Sequence, residues 1–158
     1  MREYDQTVDW FIRNRRPQIG PPDVADFARA LVPGARILDL GCGTGVPITQ
    51  CLVEDGYDVF AIDSSSKMLE QFRMSFPGVP VQCATIQDSD FFGLCFDAVV
   101  AWGVWFHLTA ADQETGIEKV ARVLNPGGRF LFTAGDKPVE SDWTVELTPI
   151  PLSCTNAA

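Results

Sequence analysis

The chain has 158 residues, enough for one domain with a proper hydrophobic core. A formal net charge of −9 and a pI near 4.4 set it against phosphate backbones, so the expected partner is a small-molecule substrate and not nucleic acid. Hydrophobic residues at 46% and charged residues at 21% exclude a disordered chain, and no apolar run reaches the roughly 20 residues that would span a membrane.

The first residues, Met1 to Asp5, carry acids and lack the apolar stretch of a secretory signal, which predicts a cytoplasmic location. Residues 3 to 16 read as a short amphipathic helix with Val8, Phe11 and Ile12 on one side, ended by Pro17 and Gly20-Pro21-Pro22. Arg13, Arg15 and Arg16 on it are expected as a solvated face. A second helix is predicted from Asp23 to Leu31, stopping at Val32-Pro33-Gly34. The five cysteines, Cys42, Cys51, Cys83, Cys95 and Cys154, are scattered without metal-ligand spacing and are expected as reduced thiols, with no metal site.

From residue 35 onward strands and helices alternate. Ala35 to Leu40 is a short apolar run before a glycine-rich turn, as in a buried parallel strand, and a helix is expected from about Thr44 to Glu54. Tyr57 to Ile62 is a second strand, Ser65 to Phe76 a second helix of the core, and Val79 to Thr85 a third strand. Phe96 to Trp102 is a fourth strand, Thr109 caps a helix reaching Leu124, and Arg129 to Ala134 is a fifth strand. This alternation predicts an α/β fold, a doubly wound and mostly parallel sheet with helices on both faces. Three parts are expected: an N-terminal helical segment over 1–34, a ligand-binding core over 35–135, and a tail over 136–158 with one strand, Trp143 to Thr148.

The turn after the first strand, Gly41-Cys42-Gly43-Thr44-Gly45, lets the backbone come close to a ligand. A glycine-rich turn here also serves dinucleotide enzymes, whose spacing is G-x-G-x-x-G, whereas this chain has Val46 at the sixth position. Asp39 separates the two cases. Its carboxylate would repel a pyrophosphate and attract a cationic ligand. Asp63, at the end of the second strand and about twenty residues further on, suits the hydroxyls of a ribose in either case.

The segment Asp39-Leu40-Gly41-Cys42-Gly43-Thr44-Gly45 resembles the glycine-rich first motif of the class I S-adenosylmethionine-dependent methyltransferases. Ala61-Ile62-Asp63-Ser64-Ser65 with Met68-Leu69 is similar to that family's second motif. Phe96-Asp97-Ala98-Val99-Val100 is similar to its strand-four motif, and Val123-Leu124-Asn125-Pro126-Gly127-Gly128 to the turn before strand five. The four motifs stand in the family's order over roughly residues 35 to 134.

The resemblance implies S-adenosylmethionine (AdoMet) as cofactor, a Rossmann-like fold, and methyl transfer to a small-molecule acceptor. Gly41, Cys42 and Gly43 would line the methionine part with backbone, and Asp39 would reach toward its amino group. Asp63 and Ser64 would meet the ribose, and Met68 the adenine face. Thr85 and Ile86 stand where the family contacts the adenine ring, with Asp88 as a substitute for the acid many members carry there. The backbone of Ala101 and Trp102 would face the methionine end. Tyr4 and Asp5 resemble an N-terminal pair that closes over the cofactor.

His107, the single histidine, follows the fourth strand and is the one candidate for a catalytic base, with structural orientation as the alternative. Trp102, Trp105 and Phe106 are either an acceptor wall or core.

Complete family members have seven strands, and this chain ends soon after the fifth, lacking the usual strand 6–7 hairpin. The strand over 143–148 is expected to fold back antiparallel on the fifth; otherwise the open edge invites a homodimer. An AdoMet- or S-adenosylhomocysteine-binding module without catalysis is the second reading. A nucleotide-dependent oxidoreductase is a third, opposed by Asp39 and the glycine spacing.

Overall fold

The computed structural model describes residues 20–135 and the backbone of residues 143–149. The helix expected over 3–16, with Tyr4, Asp5 and the three arginines, lies outside the described residues.

The elements in chain order are α1 (Pro21–Ala28), β1 (Arg36–Leu40), α2 (Ile48–Glu54), β2 (Asp58–Asp63), α3 (Ser66–Ser75), β3 (Val81–Cys83), β4 (Phe96–Ala101), α4 (Ala110–Val123), β5 (Leu124–Gly135) and β6 (Trp143–Pro149). Short 3-10 turns occupy Phe91–Gly93 and Trp105–His107. The sheet runs β3-β2-β1-β4-β5-β6, parallel except for β6. The doubly wound α/β prediction holds.

Several boundaries move, each for a local reason. α1 starts at Pro21, because the first helical turn has no N–H to lose. α2 starts at Ile48 and not at Thr44, because Gly43 and Gly45 take left-handed φ values of 58° and 83° that a right-handed helix does not admit. β3 is only three residues long: Pro80 has no N–H for the ladder, and Thr85 turns onto Asp88. β5 begins at Leu124, where α4 runs straight into extended backbone, and its pairing with β4 shifts register between Phe96 and Ala98.

Alternation along each strand sorts the core to two faces. Leu38, Leu40, Val99, Ala101, Phe130 and Phe132 pack with Val120 of α4 on one face. Ile37, Ala98, Val100 and Leu131 pack with Val24 and Phe27 of α1 and Ile48 and Leu52 of α2 on the other. Asp39 shares the second face, in register with Ala61 and Val100.

β6 pairs antiparallel with β5 from Gly135↔Trp143 to Arg129↔Pro149, as expected for the tail strand. The edge of β5 is thereby taken within the chain, which removes the basis for a homodimer built on that edge. Cys42, Cys51 and Cys83 are reduced, while Cys95 is disulfide-bonded and corrects the expectation that all five are reduced. Among the described residues no cluster of His, Cys, Asp and Glu is arranged to hold a metal, and no helix is long and apolar enough to cross a membrane.

Candidate functional site

The sheet order reverses between β1 and β4, since β2 and β3 lie on one side of this pair and β5 on the other. Open parallel sheets usually bind ligands in the crevice outside the carboxyl ends of the strands at such a reversal; here Val104 of the β4 loop packs against Gly41 of the β1 loop.

The β1 loop is shaped by its glycines. Gly41 has φ 72°, and a Cβ there would lie 2.7 Å from the Val104 side chain, so this position excludes a side chain on both conformation and space. The N–H groups of Gly41 and Cys42 both donate to the carbonyl of Ile62, at 2.8 and 3.1 Å, which stitches the loop to the end of β2. Gly43 N–H then donates to Oδ2 of Asp63 at 2.8 Å, and Ser65 N–H to Oδ1 of the same carboxylate at 2.8 Å. Asp63 is thus aimed by two backbone donors, one from the glycine loop and one from the start of α3. The side-chain cap of α3 is Ser65, whose hydroxyl accepts from Met68 N–H at 3.3 Å. Ser64 is exposed beside Asp63, and Met68 is buried.

Asp39 is only 1% exposed. Its Oδ2 accepts a 2.6 Å hydrogen bond from Thr49 Oγ1 of α2, which also lies fully inside. The carboxyl group is therefore held inside the fold, against α2. Thr49 has no sequence signal of its own; it lies on the same face as Ile48 and Leu52 and reads as a plain helix position.

β3 delivers Thr85 and Ile86 next to β2, since Ala84 N–H donates to the carbonyl of Asp63 at 3.0 Å. The Thr85 hydroxyl donates to Oδ2 of Asp88 at 2.8 Å and accepts from Asp88 N–H at 3.1 Å, so a carboxylate does stand beside Thr85. Ile86 is buried in the core.

At the end of β4, Ala101 is buried and Trp102 half-buried. A Cβ on Gly20 would lie 2.7 Å from Nε1 of Trp102, so the residue preceding α1 packs closely against the indole. Gly103 N–H donates to Thr133 Oγ1 at 2.8 Å, tying the β4 loop to β5. Trp105 is fully buried and belongs to the core, which decides the wall-or-core question for that residue. Phe106 is half-buried, with its ring 4.2 Å from that of His107.

His107 stands exposed at the end of its 3-10 turn, and partial desolvation of the ring lowers its pKa from the ordinary 6.5. Its imidazole is neutral at pH 7. The unfolded chain holds that proton more tightly, so stability is full above pH 6.5 and declines as the pH falls through the lower folded value. An NMR titration of the ring protons is expected to give a midpoint below 6.5, whereas a midpoint above it would mean that an acidic partner governs the ring.

Residues 37–128 match the family model described as a methyltransferase domain. The chain belongs to this methyltransferase family. The domain is 36% identical over 132 residues to an uncharacterised methyltransferase of Mycobacterium tuberculosis, an alignment covering 82% of this chain and 51% of that one. It is 36% identical over 110 residues to the demethylmenaquinone methyltransferase of Corynebacterium urealyticum, covering 69% of this chain and 45% of that one. Among solved structures it is similar to AdoMet-bound CalS10, an amino pentose methyltransferase of Micromonospora echinaspora involved in calicheamicin biosynthesis. There the TM-score is 0.69 and the identity 28%, covering 84% of this chain and 57% of that chain. The methyltransferase domain spans about half the length of the curated relatives it matches.

Proposed function

We propose that the chain binds AdoMet in the crevice between β1 and β4 and serves methyl transfer to a small-molecule acceptor. The observation that carries this reading is Asp63, a carboxylate at the end of β2 fixed by N–H groups of both the glycine loop and Ser65. The residues fit the cofactor: the left-handed Gly41 and Gly43 bring the loop backbone against the Asp63 carboxylate, and Asp39 and Asp63 suit a ligand carrying an ammonium and a sulfonium.

AdoMet supplies an electrophilic methyl group whose leaving thioether is neutral, so the protein's part is to hold, orient and shield the reactants. In this reading Gly41, Cys42 and Gly43 hold the methionine end by backbone, with Ala101 and Trp102 facing them. Asp63 and Ser64 receive the ribose, and Thr85, Ile86 and Met68 receive the adenine. His107, neutral at pH 7, is the base where the acceptor arrives protonated. The small-molecule acceptor is supported by the charge of −9 and by the sugar acceptor named for CalS10.

A binding module without catalysis of its own is the second reading, since the observation that carries the first, Asp63 held by the glycine loop and Ser65, speaks for binding and not for turnover. Calorimetric titration with AdoMet, S-adenosylhomocysteine and NAD is the test. Saturable binding of either sulfur ligand and none of NAD is expected; binding of NAD alone overturns the reading. Methyl transfer to a panel of small acceptors then separates enzyme from binding module.

A further inference from the structure

The residues from 84 to 93 run from β3 to the turn before β4 and carry Thr85 and Ile86. One end is fastened to the ribose-facing strand, through Ala84 N–H and the carbonyl of Asp63 at 3.0 Å. The other end is fastened from α4. Lys119 Nζ donates to the carbonyl of Gln87 at 2.6 Å and to that of Ser89 at 2.7 Å, and stands 5.1 Å over the ring of Phe91. Two carbonyls converging on one point repel each other unless a donor stands between them. An ammonium, with three donors and no acceptor, is the side chain that fits.

Other contacts hold the same segment. The Ser89 hydroxyl donates to the Gln82 side chain and accepts from Phe91 N–H at 2.9 Å. Gln82 Nε2 donates to Asp90 Oδ1 at 2.9 Å, and Phe92 N–H to the same oxygen at 3.0 Å. These bonds fix a turn in which Phe91 and Phe92 take φ of 51° and 59°, left-handed backbone that aromatic residues resist. A conformation of this kind persists only where its surroundings over-determine it. Without the cation between Gln87 and Ser89 the turn has reason to relax, and Thr85 and Ile86 lie just before it.

We propose that Lys119 is a positioning residue for the nucleoside half of the cofactor, acting through the segment 84–90 and not by contact. The inference rests on the AdoMet reading above. It deepens that reading by naming the element that sets the register of the adenine side against Asp63.

The test compares wild type with Lys119→Met and Lys119→Arg. Each is titrated, well below its melting temperature, with S-adenosylhomocysteine and with 5′-methylthioadenosine, which lacks the amino-acid end. Hydrogen exchange of the amides over 87–92 is followed in the ligand-free chain. Lys119→Met is expected to weaken both ligands about tenfold, the order for a charge-assisted hydrogen-bonded group, and to speed exchange over 87–92. Lys119→Arg is expected to keep most of the affinity, since it keeps charge and donors. Lys119→Gln, which retains a donor, replaces Lys119→Met if the latter does not fold. Wild-type affinities in a variant that is merely less heat-stable would overturn the proposal, leaving Lys119 as a brace. A wild-type chain that binds neither ligand overturns the cofactor reading itself, and the positioning role with it.

Discussion

Asp63→Ala is expected to weaken AdoMet binding by at least a hundredfold, about 3 kcal/mol or more, because hydrogen bonds to an ionised carboxylate contribute about 1.5–3 kcal/mol each. Two losses combine. The ligand loses the acceptor at the end of β2, and the glycine loop loses the group that receives Gly43 N–H at 2.8 Å and ties it to α3 through Ser65. Asp63→Asn is not a conservative control. Both carboxylate oxygens accept backbone N–H bonds, so an amide must turn its NH₂ toward either Gly43 or Ser65 and repel that donor. It is expected to lose roughly tenfold or more by the same reasoning. Calorimetry on the two variants checks both values, with circular dichroism to establish that each is folded. Unchanged affinity in Asp63→Ala would mean that the crevice beside the glycine loop is not where the ligand sits.

The sheet was legible because buried parallel strands are short apolar runs bounded by turn residues, as in Ile37-Leu38 before Gly41 and Ala98-Val99-Val100 before Trp102. The tail strand was legible from the need to cover β5, and β6 lies where that need put it. Boundaries failed where backbone conformation and not hydrophobicity decides. Gly45 and Pro47 read from sequence as compatible with a helix from Thr44, but the left-handed Gly43 and Gly45 hold the start of α2 back to Ile48.

The site was legible in its backbone parts and less so in its side chains. Asp39 reads from sequence as a crevice carboxylate, but alternation along β1 turns it to the α2 face, where Thr49 meets it. Lys119 reads as one more charge on an amphipathic helix; its partners are carbonyls some thirty positions away, a juxtaposition set by the packing of α4 and by no local pattern. The disulfide at Cys95 was equally invisible, since cysteine spacing alone does not fix pairing.

Trp105 carries the largest expected effect on stability. The 3-10 turn after β4 drops its indole onto β5, where it meets Phe130 edge-on at 5.1 Å and Phe132 at 5.5 Å. It is 1% exposed, and Trp105→Ala is expected to cost about 3–5 kcal/mol. At about 2–4 °C per kcal/mol for a chain of this size, that is a fall of roughly ten degrees in a thermal melt followed by circular dichroism. An acceptor-wall role predicts the opposite pattern, an unchanged melt with lost turnover.

The opposing surface of α4 makes the assignment sharper. Gly116 stands where a Cβ would lie 2.7 Å from Cη2 of Trp105, so Gly116→Ala sets a helix-propensity gain of about 1 kcal/mol against an overpacking cost of about 1–3 kcal/mol. The ring is backed by the two phenylalanines, whose own rings lie 4.9 Å apart, and it is fully buried, so overpacking is expected to win in the wild-type background. In the Trp105→Ala background the obstruction is gone, and the same Gly116→Ala change is expected to become stabilising. That reversal of sign in a double-mutant cycle is the signature of direct packing between α4 and Trp105. Additive effects would place the indole elsewhere and return Trp105 to the acceptor side of the crevice.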